Sequence, residues 1–232
     1  MTDPHEQEAS KPPYSAPYAF KKQFYRDADV ATHYDDERFS GRNKERRNRR
    51  KWVAIRKALK DAEDVRSVLD LPCGTGRFTG HLAEEGYRVT GSDISVEMMG
   101  VAQSGLAAAE GISGFVQSEA EHLPFPDDAF HCVVSIRFLH HVDSATRVEI
   151  LREMGRVARW LVVDYRHRYS YHYARWKLKR ALGMTRKDMK RVSRAHLEDE
   201  FAQAGVTLRR VVPVTRGFSD KWVVLGEVPR QP

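Results

Sequence analysis

The stretch Val68-Leu69-Asp70-Leu71-Pro72-Cys73-Gly74-Thr75-Gly76-Arg77-Phe78 constrains this chain more than any other. A nearly continuous apolar run ends in an acidic residue, two glycines follow one residue apart, and a helical pattern begins at once. That is how a strand buried on both faces feeds a tight turn into a helix. Glycine opens backbone conformations that other residues avoid and leaves no side chain in a ligand's path, while the first turn of a helix offers N–H groups without intrahelical partners. The stretch predicts a strand–loop–helix corner that receives a ligand.

The pattern then repeats. Tyr87 to Asp93 reads as a second strand, and Ser95 as the N-cap of a helix that Gly111 ends. Gly114–Gln117 and Phe130–Ile136 read as strands, Ser144–Ala158 as a helix and Trp160–Tyr165 as a fifth strand. Strands alternating with helices imply a parallel sheet covered on both faces, with ligands at the carboxyl ends of its strands. After a helix at about Arg194–Ala204, two apolar runs, Val206–Val214 and Trp222–Val228, are separated by a turn short enough for a hairpin. The expectation is an α/β fold of the Rossmann-like, doubly wound kind, with a seven-stranded sheet that is mostly parallel and closes on an antiparallel C-terminal strand.

With 232 residues, 41% of them hydrophobic, the chain can build one sizeable core. Residues 1–41, polar and proline-bearing at their start, read as a partly disordered N-terminal tail, and residues 42–232 as the main domain with a basic, aromatic insertion or lid at about 165–192. No run of apolar residues is long enough to cross a membrane and the N-terminus lacks the form of a secretory signal, so a cytoplasmic protein is expected. Cys73 and Cys132 both fall in core or ligand-facing segments, which argues against a disulfide framework or a structural zinc site, and no metal is expected. The net charge of +7 admits nucleic acid, an anionic membrane surface or an acidic small substrate as partner. Two segments hold most of the excess, Arg42 to Lys60 and Arg166 to Arg191.

A dinucleotide fingerprint would place a third small residue where this chain has Thr79, so that reading weakens. Asp93 nevertheless stands at the end of the second strand, where a carboxylate accepts hydrogen bonds from both hydroxyls of a ribose. Four ordered blocks now resemble the class I S-adenosylmethionine-dependent methyltransferases, in particular the group of ubiquinone and menaquinone C-methyltransferases. They are Val68 to Gly76, Gly91-Ser92-Asp93-Ile94-Ser95, Glu119 to Asp127, and Val134 to Val142 with its Leu139-His140-His141-Val142. The resemblance implies S-adenosyl-L-methionine as cofactor. It implies that backbone around Pro72, Gly74 and Gly76 packs against the methionine part and that Asp70 helps hold the ammonium, directly or through water. It further implies that Asp93 takes the ribose hydroxyls, Glu119 and the Ala120 N–H meet the adenine edge, and Ile94 and Leu123 sandwich the ring.

Three departures from the family pattern stand out: Pro72 where glycine is usual, Glu119 where aspartate is usual, and Arg156 to Trp160 in place of a Gly-Gly turn before strand five. Methyl transfer is an in-line displacement that needs mainly a nucleophile held in contact and alignment, with a general base where the acceptor is a hydroxyl or an acidic C–H. His141 is the first candidate base and His140 the second, each with a packing role as its rival. Arg137 suits a carboxylate or phosphate on the acceptor, with a bridge to Asp143 or Glu149 as its alternative. The acceptor expected first is a small or lipid-linked molecule. An RNA of the tRNA type is second, on the two basic segments, and a non-catalytic basic binding protein on a methyltransferase scaffold is third. The oligomeric state is not legible.

Overall fold

The computed structural model describes residues 17–26, 41–169, 171–184, 191–215 and 220–229. The helices are α1 (Tyr18–Tyr25), α2 (Arg42–Leu59), α3 (Arg77–Glu84), α4 (Val96–Gly105), α5 (Ser144–Val157), α6 (Tyr171–Ala181) and α7 (Arg194–Gln203), with a short 3-10 turn at Leu139–His141. The strands are β1 (Ser67–Asp70), β2 (Arg88–Asp93), β3 (Ile112–Gln117), β4 (Phe130–Ser135), β5 (Ala158–Arg166), β6 (Thr207–Pro213) and β7 (Lys221–Glu227). They form one seven-stranded sheet in the order β3-β2-β1-β4-β5-β7-β6. β1 to β5 pair in parallel and β7 runs antiparallel between β5 and β6, as the apolar runs predict. Strand order reverses between β1 and β4, and the carboxyl ends of such neighbours splay connections to opposite sides and leave a crevice.

Each face of the sheet carries its own core. α2 and α3 set Ile55, Leu59, Phe78 and Leu82 against Val68, Val134 and Val162, while α5 and α7 set Ile150, Leu151, Leu197 and Phe201 against Leu69, Val133 and Leu161. This is why β1 and β4 show almost no alternation of polar and apolar residues: both of their sides are covered. The missing Gly-Gly turn has its counterpart in a connection with no intervening residue, since α5 ends at Val157 and β5 begins at Ala158. Gly217 and its neighbours, predicted to turn between β6 and β7, and Asp188 within the proposed insertion lie outside the described residues.

Of the stretch read as an N-terminal tail, residues 1–16 and 27–40 lie outside the described residues. Residues 18–25 form α1, whose Tyr18 ring lies 6.2 Å from that of Phe138. The helix has only eight residues and follows Pro17, so it depends on contacts with the domain more than on propensity.

α2 is basic, as read, yet not every cation on it is solvated. Lys51 is 3% exposed and its ammonium is paired with the equally buried Asp164 of β5. Burial pulls the lysine down to about 8, against the attraction of Asp164, and the pair holds the Asp164 carboxyl below its usual range despite burial. Removing one member of a buried pair strands the other. Lys51→Met is therefore expected to cost about 3–5 kcal/mol in urea unfolding. Adding Asp164→Leu recovers part of that loss, because Asp164 also serves the backbone of Arg137.

Candidate functional site

The loop after β1 is tied to the end of β2 by backbone donors. The Cys73 N–H donates to the Ser92 carbonyl at 2.8 Å, and the Gly74 N–H donates to Asp93 Oδ2 at 2.8 Å. The Ser95 N–H donates to Asp93 Oδ1 at 3.0 Å, and the Ser95 hydroxyl caps α4 by accepting from the Met98 N–H. Asp93 is 6% exposed, and burial raises its carboxyl above the ordinary range although these N–H groups pull the other way. Both oxygens keep lone pairs after one bond each, so the carboxylate can still accept from two neighbouring hydroxyls.

The two glycines have different tasks. Gly74, at φ +53°, has open space where a Cβ would stand. Gly76, at φ +79°, has none: a Cβ would meet Ala102 Cβ and Leu106 Cδ1 at 2.8 Å each, so its bareness lets α3 start against α4. Gly76 thus supports the corner from behind.

In front of the loop lies a pocket enclosing about 1040 Å³ of empty space, part of it open to solvent. Pro72, Gly74, Asp93, Ile94 and Ala120 line one end, at β1, β2 and the β3 exit. Ile136, Arg137, Phe138 and His141, from the segment after β4, line the other. Tyr18, Lys22 and Tyr25 of α1 complete the wall. The pocket therefore opens at the switch point between β1 and β4.

Several expected site residues do not themselves line the pocket. Asp70, 1% exposed, sits behind the loop and accepts from the Thr79 hydroxyl at 2.7 Å; burial, reinforced by the charge of Asp93, pushes its carboxyl up to about 7 against that bond. Leu123 is 5% exposed and packs in the core on the α5 side, with its N–H donating to Glu153 at 2.8 Å, so it does not face the pocket as a ring-sandwiching residue would. Glu119 is half-exposed, and its carboxylate is taken by Lys22 at 2.8 Å and Arg26 at 3.4 Å. Those two cations, Lys22 foremost, hold it below the usual carboxylate range. The extra methylene that distinguishes Glu119 from the family's aspartate lets it reach outward to α1, away from the pocket wall.

After β4 the chain turns through Arg137 at φ +66°, a left-handed conformation unusual for so long a side chain. The turn is fixed because the Arg137 N–H donates to Asp164 Oδ1 at 2.5 Å and its guanidinium donates to Asn48 Oδ1 on α2. The sequence alternatives, Asp143 and Glu149, are replaced by partners from α2 and β5: Asp143 caps α5 by accepting from the Thr146 N–H. Leu139 to His141 then form the 3-10 turn, with the His141 N–H donating to the Phe138 carbonyl at 2.8 Å. His141 lines the pocket, its ring edge-on to Tyr25 at 6.3 Å, and the His140 ring lies 4.1 Å from it without lining the pocket. Burial, then the charges of His141, Arg166, Lys51 and Lys221, hold His140 well below the usual imidazole range, so it is neutral near pH 7.

Sequence reasoning missed Tyr18, Lys22 and Tyr25. Their spacing of four and then three residues places them on one helical face, a signal hidden by the prolines before it. Lys22 bridges Glu119 and Glu121, each at 2.8 Å, and the Tyr18 hydroxyl donates to Glu121 at 3.3 Å. α1 is thereby latched over the end of the pocket where β3 exits.

Residues 68–160 match the family model described as a methyltransferase domain. The chain is 34% identical over 125 residues to the ubiquinone/menaquinone biosynthesis C-methyltransferase of Pseudomonas aeruginosa, a match covering 50% of this chain and 48% of that protein. It is 38% identical over 97 residues to the ajmaline N-methyltransferase of Rauvolfia serpentina, covering 40% of this chain and 32% of that one. The matches span at most about half the length of these curated relatives. Among solved structures, magnesium protoporphyrin IX methyltransferase from Synechocystis PCC 6803 with bound S-adenosylhomocysteine superposes with a TM-score of 0.70 at 16% identity, over 92% of this chain and 100% of that one, which shows the shared fold.

The latch can be broken without touching the core. Lys22→Glu sets a third carboxylate beside Glu119 and Glu121, and amide exchange in residues 18–25 is expected to accelerate by about tenfold or more, with exchange in β1 and β4 unchanged. Hydrogen exchange read by mass spectrometry checks it.

Proposed function

We propose that this chain, whose residues 68–160 form a methyltransferase domain of the class I S-adenosylmethionine-dependent type, transfers a methyl group to a small-molecule or lipid-linked acceptor. One observation carries the reading: a single pocket joins the Gly74–Asp93 corner to an apolar, aromatic chamber bounded by Ile136, Phe138, His141, Tyr18 and Tyr25. Bound there, S-adenosyl-L-methionine supplies an activated methyl group on a positive sulfonium.

The residues fit that cofactor. Asp93, buried and already aligned by two backbone donors, accepts the ribose hydroxyls. Ile94 and the backbone of Ala120 offer the apolar and polar contacts that an adenine ring needs. Pro72 has no N–H, so the loop's donors toward the methionine part are those of its neighbours. Asp70, through the loop or a water, senses the ammonium. Glu119 contributes by holding α1 in place rather than by meeting the adenine. The chamber's aromatic walls exclude water from the reacting atoms and suit a planar or hydrocarbon-bearing acceptor. His141 stands at the chamber wall as general base, while His140, kept neutral behind it, orients its ring. Arg137 sets the wall's shape through its fixed turn and presents a cation to the acceptor's polar end.

The primary test is calorimetric titration with S-adenosylmethionine, together with incubation of labelled cofactor in cell extract followed by separate extraction of lipids, small molecules and RNA. Label in the lipid or small-molecule fraction is expected; no binding heat and no labelled product defeats the reading. Asp93→Ala is expected to weaken cofactor binding by more than about tenfold, since it deletes two charge-assisted hydrogen bonds. His141→Ala is expected to lower turnover by about 10²- to 10⁴-fold with cofactor affinity kept.

A pH dependence follows from Asp70. Its carboxyl titrates at about 7 in the free protein, and a nearby ammonium favours its ionised form. Binding therefore releases a proton below that pH, and affinity rises with pH until about 7 and then levels. Calorimetry in buffers of different ionisation enthalpy reads the released proton, and Asp70→Asn is expected to flatten the profile.

A further inference from the structure

Along α6, between β5 and α7, Tyr173 and Trp176 are half-buried and stack at 5.2 Å, with the Arg180 guanidinium over Trp176 at 5.3 Å, and these residues share one face of the helix. Tyr171, Arg175, Leu178 and Leu182 recur at spacings of four, three and four residues, which sets them in one stripe on the opposite face. The stripe continues one turn past the helix, where the Leu182 N–H still donates to the Leu178 carbonyl at 3.0 Å.

Burial of apolar side chains is the rule, and an apolar stripe facing water is the exception that asks for a partner. Tyr171, Leu178 and Leu182 are 63%, 61% and 64% exposed, and Tyr169 and Met184 beside them are 61% and 66% exposed. They make up most of the large exposed apolar side chains among the described residues. The charge around them has one sign. Six arginines and lysines lie between Arg166 and Arg180, and no acidic residue occurs from Tyr165 to Lys187. α2 is likewise basic at its start, where Arg46, Arg47, Arg49 and Arg50 are exposed.

The geometry points to α6 as an interfacial helix that docks the protein on an anionic phospholipid surface, with its Tyr171–Leu178–Leu182 stripe in the headgroup region and the surrounding cations over acidic lipids. A helix with apolar and tyrosine side chains on one stripe and lysine and arginine beside it lies in the plane of such a surface, by apolar burial plus electrostatic attraction. Leucine and methionine gain from acyl chains and nothing comparable from stacking on bases, which sets this face apart from an RNA-binding platform. No helix among the described residues is long and apolar enough to cross a membrane, so the association is peripheral.

The docking rests on α6 alone. Its consequence, that the pocket takes its acceptor from the lipid surface, rests on the methyl-transfer reading above. β5 leads directly into α6 from the carboxyl edge of the sheet, the edge at which the pocket opens.

The test is co-sedimentation of the full chain with vesicles of phosphatidylglycerol and phosphatidylcholine in equal parts, and with vesicles of phosphatidylcholine alone. Binding to the first and not the second, weakening as salt rises, is expected. Leu178→Gln combined with Leu182→Gln is expected to weaken it by about tenfold or more. Arg175→Glu with Lys179→Glu, a surface change, is expected to weaken it similarly, and an unchanged heat of S-adenosylmethionine binding certifies that both variants are folded. Absent or equal binding to the two vesicles, or binding indifferent to both variants, overturns the proposal. So does a complex with bulk tRNA formed through α6 in place of vesicle binding. Vesicle docking without any cofactor heat leaves the docking standing and defeats the methyl-transfer reading instead.

Discussion

The corner depends on one buried carboxylate held by backbone. Asp93 receives the N–H of Gly74 from the loop after β1 and the N–H of Ser95 from the start of α4, so a single side chain fixes two crossing connections at the carboxyl edge of neighbouring strands. A carboxylate out of water needs donors, and here it takes them from peptide groups that have no helical or ladder partner. The arrangement requires a residue at position 74 that tolerates a positive φ, with no side chain in front of the loop. The demands of backbone and of ligand therefore coincide at one residue.

A second anchoring network supports the opposite wall by different means. Asp164 at the carboxyl end of β5 is shared between the Lys51 ammonium and the Arg137 N–H, and Arg137 reaches back to Asn48 on α2. Charge removed from water is costly, and such a cluster is retained where geometry matters more than stability. Here the geometry is the left-handed turn at Arg137, which aims Phe138 and His141 into the pocket. α2, basic enough to read as a solvated surface helix, is thus a structural support of the pocket wall.

How much of this was legible follows the range of the interactions. The seven strands and their order of use were readable because buried parallel strands announce themselves as short apolar runs, and helix stops as glycines. That Asp93, Gly74, Ile94, Ala120 and Arg137 come together along one pocket was legible because their places are fixed by the ends of those strands. Leu123 packs in the core outside the pocket lining, because an apolar residue near a site can serve the core as well as a ligand, and sequence spacing does not distinguish the two sides of a loop. The ion pairs of Glu119 were not legible because its partners, Lys22 and Arg26, lie more than ninety residues away. Lys51 was hidden for the same reason: nothing local separates a lysine that meets Asp164 from those that meet water.

The two helices that sequence could not place, α1 and α6, share a physical character. Neither has a continuous apolar face to bury: α1 holds on by ion pairs and aromatic edges, and α6 turns leucines outward. Elements attached by few buried contacts open at low free energy, and segments that admit or cover ligands are drawn from that class. The scaffold and the corner after β1 rest on the deep cores of the sheet, whereas α1 at the pocket wall rests on ion pairs that salt or a ligand can exchange. The parts of the chain that complete the pocket wall are thus the parts least determined by the fold, while the sheet and the corner after β1 are the parts most determined by it.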